Sequence, residues 1–250
     1  MDIQAYLDRI GYRGPLTPTA ETLRALQVAH LQTVPFENLS IHAHQPIVLD
    51  DESLFDKVVG RRRGGFCYEL NGLFAALLRG LGFQVAMLSA EVASADGTFS
   101  PAFDHMALLV TLEERWLADV GFGDSFRDPL RLDERGEQPE GARAFRIDED
   151  GDHLLLLRRD GPGEPWQPQY RFTLQPYEYA DYADMCRFHQ TSPDSHFTRQ
   201  TVCSLATPDG RVTLSGRKLI TTQGGERQER ILGSEEEPVA VLRELFGVVV

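Results

Sequence analysis

Three cysteines in 250 residues, at positions 67, 186 and 203, are too few and too scattered for a disulfide framework, a C-x-x-C redox pair or a metal knuckle. Long apolar runs are missing as well. None approaches the ~20 residues that cross a bilayer, so no membrane partner is expected. The opening MDIQAYLDRIGYRGPL carries charge where a secretory leader needs an unbroken apolar segment, so a cytoplasmic, reducing compartment is expected. Positive charge is in deficit: 25 Lys and Arg against 38 Asp and Glu leave a formal net charge of -13, which repels nucleic acid at long range. Repeats, low-complexity tracts and Pro/Gly/Ser-rich linkers are lacking too, so composition marks no sharp boundary between units.

What is present reads first as helix. TAETLRALQVAHLQTV places Leu23, Leu26, Ala29 and Leu31 near one face behind Thr19, an N-cap residue, and Pro35 discourages continuation. After Gly64-Gly65, the residues Leu70, Leu73, Phe74, Leu77, Leu78 and Leu81 recur at steps of three and four, predicting a core-facing helix that ends near Gly80 and Gly82. From Phe83 onward the pattern is strand-like: FQVAMLSAEV, HMALLVTL, RWLADVGF, ARAFRI, HLLLLRR and QYRFTL are separated by turn-forming stretches. A helix is expected in PYEYADYADMCRFHQ with Pro176 in its first turn, then a hairpin about Pro208-Asp209-Gly210. A last helix follows a capping box of Ser234 and Glu237. Helices, then strands, then a mixed segment predict an α+β fold, with soft divisions near residues 82 and 187.

One short stretch concentrates chemistry: RRRGGFCYELN, Arg61 to Asn71. Cys67 falls where a helix begins, and unpaired N–H groups, the helix dipole and nearby arginines all favour a thiolate. Gly64 and Gly65 permit a sharp entry to that helix and close approach of a substrate. By itself, a cysteine at the edge of an apolar helix is as readily a small packed residue. A working thiolate needs a base and the base an orienting acid. His105 opens one strand and Asp119 ends the next. A hairpin centred on Leu112 sets them opposite each other, whereas the polar turn Glu113-Glu114 sets Asp119 opposite Leu108 and on the wrong face, so a bulge or a shifted turn is required. His42, His44, His189 and His196 assemble no ligand set, so no metal is expected.

These stretches together resemble the arylamine N-acetyltransferases. The likeness rests on YLDRIGYRGP at Tyr6–Pro15, ETLRALQVAH at Glu21–His30, PFENL at Pro35–Leu39 and RRRGGFCYELNGLF at Arg61–Phe74, then His105, DVGFG at Asp119–Gly123 and CSLATPDGR at Cys203–Arg211. It implies three parts: a helical bundle with the cysteine (1–82), an antiparallel β-barrel with the histidine and aspartate (83–187) and an α/β lid (188–250). It implies Cys67, His105 and Asp119 as a triad that takes acetyl from acetyl-CoA and passes it to an arylamine or arylhydrazine in ping-pong fashion. Phe36, Phe122, Val92 and Phe197 then fall at the acceptor pocket, and Gly121 and Gly123 beside the CoA path. Glu37 and Arg63 are an expected ion pair holding the cysteine loop. The segment after Arg211 is shorter than in many members, which would leave the thioester more open to water and to bulky acceptors. Open alternatives are an amide synthase or related acyltransferase using another acyl thioester, a thiol hydrolase, and a non-catalytic small-molecule binder.

Overall fold

The computed structural model describes residues 1–234 and 236–249. Its first third holds α1 (Ile3–Arg9), α2 (Ala20–Leu31), β1 (Phe36–Glu37), α3 (Leu39–His42), α4 (Asp51–Phe55), a π-helical turn (Asp56–Gly60) and α5 (Cys67–Gly80). Thr19 caps α2 as expected, its hydroxyl accepting the Thr22 N–H. α5 departs from the one-sided pattern: every residue from Cys67 to Leu78 is buried. The cause is position, because α1 and α4 pack on one side of it and the strands β2 (Gln84–Val92) and β3 (His105–Thr111) on the other. No described helix is long and apolar enough to cross a membrane.

β2 and β3 belong to an eight-stranded sheet completed by β4 (Arg115–Ala118), β5 (Leu130–Arg131), β6 (Gln138–Glu140), β7 (Arg143–Asp150), β8 (His153–Arg159) and β9 (Gln167–Tyr177). The order is β5-β4-β3-β2-β9-β8-β7-β6, with antiparallel neighbours throughout. The sheet curls until its two edges nearly meet. Gln138 on β6 bridges them, its side chain accepting from Arg131 N at 2.8 Å and donating to Arg131 O at 3.0 Å. Inside lie Leu88, Ala107, Leu117, Phe126, Phe145, Ile147, Leu156, Tyr170 and Phe172. Pro176 differs from its expected place. It belongs to β9, opposite Leu88 where the register slips, and helix begins only after it, with a 3₁₀ turn at Tyr179–Tyr182 and then α6 (Ala183–Thr191). A proline is tolerated where a bulge has already interrupted the ladder.

A second 3₁₀ turn, His196–Thr198, leads to β10 (Val202–Thr207), β11 (Gly210–Ser215), β12 (Lys218–Gln223), β13 (Glu226–Ile231) and α7 (Glu237–Phe246). β1 of the helical third joins this sheet by pairing Phe36 with Ser204 and Glu37 with Cys203. The expected Pro208-Asp209 turn closes the β10–β11 hairpin, and Ser234 and Glu237 exchange the expected capping bonds. β13 escapes a hydrophobicity reading because ERQERI is a charged edge strand, exposed throughout.

The loop that presents Cys67 is pinned by buried charge. Arg63 Nε donates to Glu37 Oε1 at 3.0 Å, and Glu37, fully buried, also accepts the Leu39 N–H. Lys57 and Glu69 form a second buried pair at 2.6 Å, and Glu69 Oε2 accepts the Phe66 N–H that opens α5. Arg9 donates to the carbonyls of Val58, Thr33 and Arg63. The glycines serve a different purpose from the one expected. Neither has positive φ; Arg62 does, at 53°. A side chain at Gly64 would meet Pro35 O at 1.9 Å, and one at Gly65 would meet Glu69 Cβ at 2.7 Å, so space rather than backbone freedom demands glycine. Removing one member of a buried pair strands the other, at a cost of about 3–5 kcal/mol. Arg63→Met should therefore lose that much unfolding free energy in urea, and Glu37→Leu/Arg63→Met should recover a large part of it.

Candidate active site

α5 opens with Cys67, and one turn later Asn71 points in the same direction. Opposite them runs the β3–β4 hairpin, where Leu108 pairs with Ala118, Val110 with Trp116 and Thr111 with Arg115. That register is centred on Glu113 itself, with Leu112 N donating to Glu114 O at 2.9 Å. Neither turn considered from the sequence is the one formed. Continued, this register faces Asp119 toward Ala107, two residues from His105 and on its side of the sheet, so no bulge is needed. β4 stops at Ala118, because the Asp119 N–H leaves the ladder for Gln27 Oε1 on α2, at 3.1 Å.

Asp119 is 2% exposed and accepts four hydrogen bonds. Oδ2 takes His105 Nε2 at 2.7 Å and the Tyr170 hydroxyl at 3.1 Å; Oδ1 takes Asn71 Nδ2 at 2.9 Å and Gly121 N at 2.8 Å. Burial alone would raise this carboxyl, but the opposing His105 charge, its hydrogen bond and those of Asn71 and Gly121 hold it below the ordinary carboxylate range. With Nε2 committed to Asp119, Nδ1 is the nitrogen of His105 left to accept a proton. The ring is wedged by Phe122, edge-on with centroids 5.1 Å apart, and by Tyr170 at the same distance.

Cys67 and His105 line one cavity of about 430 Å³ together with Phe36, Val92, Gly121, Phe122 and Phe197. Asp119 stands behind His105, off the cavity wall. Gly123 is not on the wall either. It adopts φ 92°, and a side chain there would lie 3.9 Å from the Phe36 ring. Gly121 is packed from behind: a Cβ would come within 2.8 Å of Cys67 Cα and of Asn71 Nδ2. Asn38, Asp104, His196, Gln200, Val202 and Ser215 complete the lining; His196 was weighed in the sequence only as a metal ligand and the others went unnoticed, as did Asn71, Gln27 and Tyr170 around Asp119. ELN, four residues after the cysteine, offered Asn71 by helical spacing; nothing local pointed to Tyr170.

The thiol differs from the expected depressed state. Burial pushes it up, Asp104 adds to this, a hydrogen bond from the Met106 backbone opposes it, and Asp119 raises it further. The arginines that were to stabilise a thiolate are engaged elsewhere, Arg63 with Glu37 and Arg61 with Asp56. A thiolate here is favoured only as the partner of an imidazolium. Among the described residues, no group of three or more His, Cys, Asp or Glu side chains is placed to hold a metal ion.

A buried thiol, an imidazole and a carboxylate, brought together by a helix start and a barrel hairpin, are a constellation for nucleophilic catalysis. Residues 19–250 match the N-acetyltransferase family model. The chain belongs to the arylamine N-acetyltransferase family. It is 36% identical to the arylamine N-acetyltransferase of Mycolicibacterium smegmatis, over 99% of this chain and 92% of that one. To human arylamine N-acetyltransferase 1 it is also 36% identical, over 99% and 94%. The solved structure of the Mycobacterium marinum enzyme in complex with CoA superposes with a TM-score of 0.91 at 35% identity, covering 99% of this chain and 93% of that one.

A methyl group at Gly121 must displace the backbone of Cys67, so Gly121→Ala should lose about 1–3 kcal/mol as overpacking, read as a lower denaturant midpoint. Asp119 supplies a second test. Its folded pKa lies below the unfolded one, so its contribution is complete above the unfolded value, about 4, and is lost as pH falls through the depressed folded value. The difference in unfolding free energy between the wild-type chain and Asp119→Asn should therefore shrink in acid. A difference that stays constant into strong acid would contradict the depressed value.

Proposed function

We propose that this chain transfers an acetyl group from acetyl-CoA to an aromatic amine or hydrazine through a thioester on Cys67. The observation that carries the proposal is the 2.7 Å bond between His105 Nε2 and a fully solvated-by-protein Asp119, behind a cavity that Cys67 and His105 share. The M. marinum complex supports CoA as the donor's carrier.

In the first half-reaction His105 Nδ1 takes the Cys67 proton, and the sulfur attacks the acetyl carbonyl. Asp119 stabilises the imidazolium and fixes its ring, and Tyr170 and Asn71 keep that carboxylate ionised by donating to it. The first-turn amides of α5 at Cys67 and Tyr68 have no intrahelical acceptor, which makes the helix start a suitable place for the tetrahedral oxyanion. The intermediate collapses, the C–S bond to CoA breaks, and the imidazolium returns its proton to the leaving thiolate. An amine then attacks the acetyl-cysteine, His105 takes its proton, and the Cys67 sulfur leaves and is reprotonated. Phe36, Val92, Phe122 and Phe197 give the acceptor's ring flat apolar walls. Gly123, beside Phe36 and without a side chain, leaves passage for the pantetheine arm; at Gly121 the missing side chain is needed by Cys67 instead.

Intact-protein mass spectrometry tests this directly. Incubated with acetyl-CoA, the wild-type chain should gain one acetyl group on Cys67 and lose it when an arylamine is added, whereas Cys67→Ala should gain none. His105→Gln should slow acetylation by at least about a hundredfold, the usual worth of a general base. An unmodified wild-type chain, or an acetylated Cys67→Ala, would overturn the assignment.

A further inference from the structure

A second carboxylate reaches the cavity. Asp104 immediately precedes His105 and shares the cavity wall with Cys67. Its Oδ1 lies 3.1 Å from Nε2 of His189, a ring on α6 that is 1% exposed. On its other side, His189 Nδ1 lies 3.1 Å from Ser195 Oγ, which accepts the Phe197 N–H at 3.2 Å. Ser195 Oγ, with one proton and two lone pairs, can pair with Nδ1 in either tautomer of the ring, and Nε2 faces the Asp104 carboxylate. The contacts thus run from Phe197, an aromatic wall of the cavity, to a carboxylate that lines the same cavity as the thiol. Asp104 is also clamped through its backbone, because the Tyr68 hydroxyl, next in sequence to Cys67, donates to Phe103 O at 2.5 Å and lies 3.3 Å from Asp104 O.

The two carboxylates near the thiol are not equivalent. Asp119 spends its charge on four donors, one of them the imidazole that becomes a cation when the thiolate forms. Asp104 has His189 as its side-chain partner from α6, with Ser100 and His196 as its other neighbours. The titratable groups that bear on Cys67 are Asp104, Asp119 and Cys186, with Tyr68 and Tyr182 feeling its charge in turn and His105 across the cavity.

We propose that Asp104 and His189 are a positioning pair for the nucleophile: Asp104 opposes charge on the Cys67 sulfur, and the His189 ring 3.1 Å from that carboxylate moderates the opposition. This rests on reading Cys67 as the acyl carrier. Through Ser195 the same ring holds the Phe197 wall relative to the carboxylate, so the charge felt by the sulfur is tied to the placement of the acceptor side of the pocket.

The test is the pH dependence of Cys67 alkylation by iodoacetamide, followed by mass spectrometry of the Cys67 peptide to separate it from Cys186 and Cys203. Asp104→Asn keeps an oxygen for His189 and removes the charge, so its midpoint should fall by about one pH unit, a roughly tenfold faster reaction below the midpoint. His189→Leu leaves the carboxylate without its donor and should move the midpoint up. His189→Gln, whose amide nitrogen reaches the place of Nε2, should return it to near the wild-type value. A purely structural pair would not displace the two midpoints in opposite directions. Midpoints that stay put in both Asp104→Asn and His189→Leu, or that move the same way in both, overturn the proposal. Alkylation requires neither acetyl-CoA nor an amine, so this result stands apart from whether acetyl reaches Cys67.

Discussion

A buried carboxylate must be surrounded by donors or it will not stay charged, and Asp119 imposes that requirement on the whole molecule. Its four partners come from α5, β3, β9 and its own loop, and α2 holds its backbone N–H. Each partner fixes a relation between distant segments. Asn71 sets the height of α5 against the barrel, since its amide also donates to Met106 O and accepts from Val120 N. Tyr170 sets β9 against β3 across β2. The helical third and the barrel are thereby locked in the one arrangement that puts a thiol and an imidazole on a shared cavity.

The same logic extends to the approach to Cys67. A helix buried on every face cannot rely on water to satisfy its first turn. Glu69 meets the Phe66 amide and is in turn neutralised by Lys57; Glu37 and Arg63 tie the preceding loop to β1. β1 then pairs with β10, so the C-terminal sheet is anchored to the loop of the nucleophile. Phe36, in that short strand, and Phe197, just ahead of β10, face each other across 6.1 Å between ring centroids. The pocket wall and the Cys67 loop are therefore positioned by one continuous set of contacts.

Much of this was legible in the sequence where the signal is local or pairwise distinctive. The helix start at Cys67, the Thr19 cap and the Pro208-Asp209 turn follow from spacing and motif, and the Glu37–Arg63 pair from the family likeness. So does the convergence of Phe36, Val92, Phe122 and Phe197, given the family likeness. What failed was decided by tertiary context. The hairpin register turned on a single residue, Glu113, which no local preference distinguishes from Leu112 or Glu114. Pro176 reads as a helix start until the bulge in β9 is known, and β13 has no apolar alternation to betray it. Arg61 reads as a source of positive potential for Cys67 until its partner Asp56 is seen, and Gly64 and Gly65 as hinges until Pro35 O and Glu69 are seen to fill the space around them.

That last correction bears on how the thiol is used. A cysteine made acidic by free arginines would be a thiolate at all times and open to oxidation in the resting protein. Here Arg63 is spent on Glu37 and Arg61 on Asp56, and burial with Asp104 and Asp119 pushes the thiol upward. Negative charge on sulfur is then stabilised chiefly by a proton placed on His105, and that proton is welcome because Asp119 stands behind the ring. Charge separation is confined to the pair that needs it. In the proposed transfer the leaving CoA thiolate reclaims the same proton, so the donors around Asp119 would serve both half-reactions without moving.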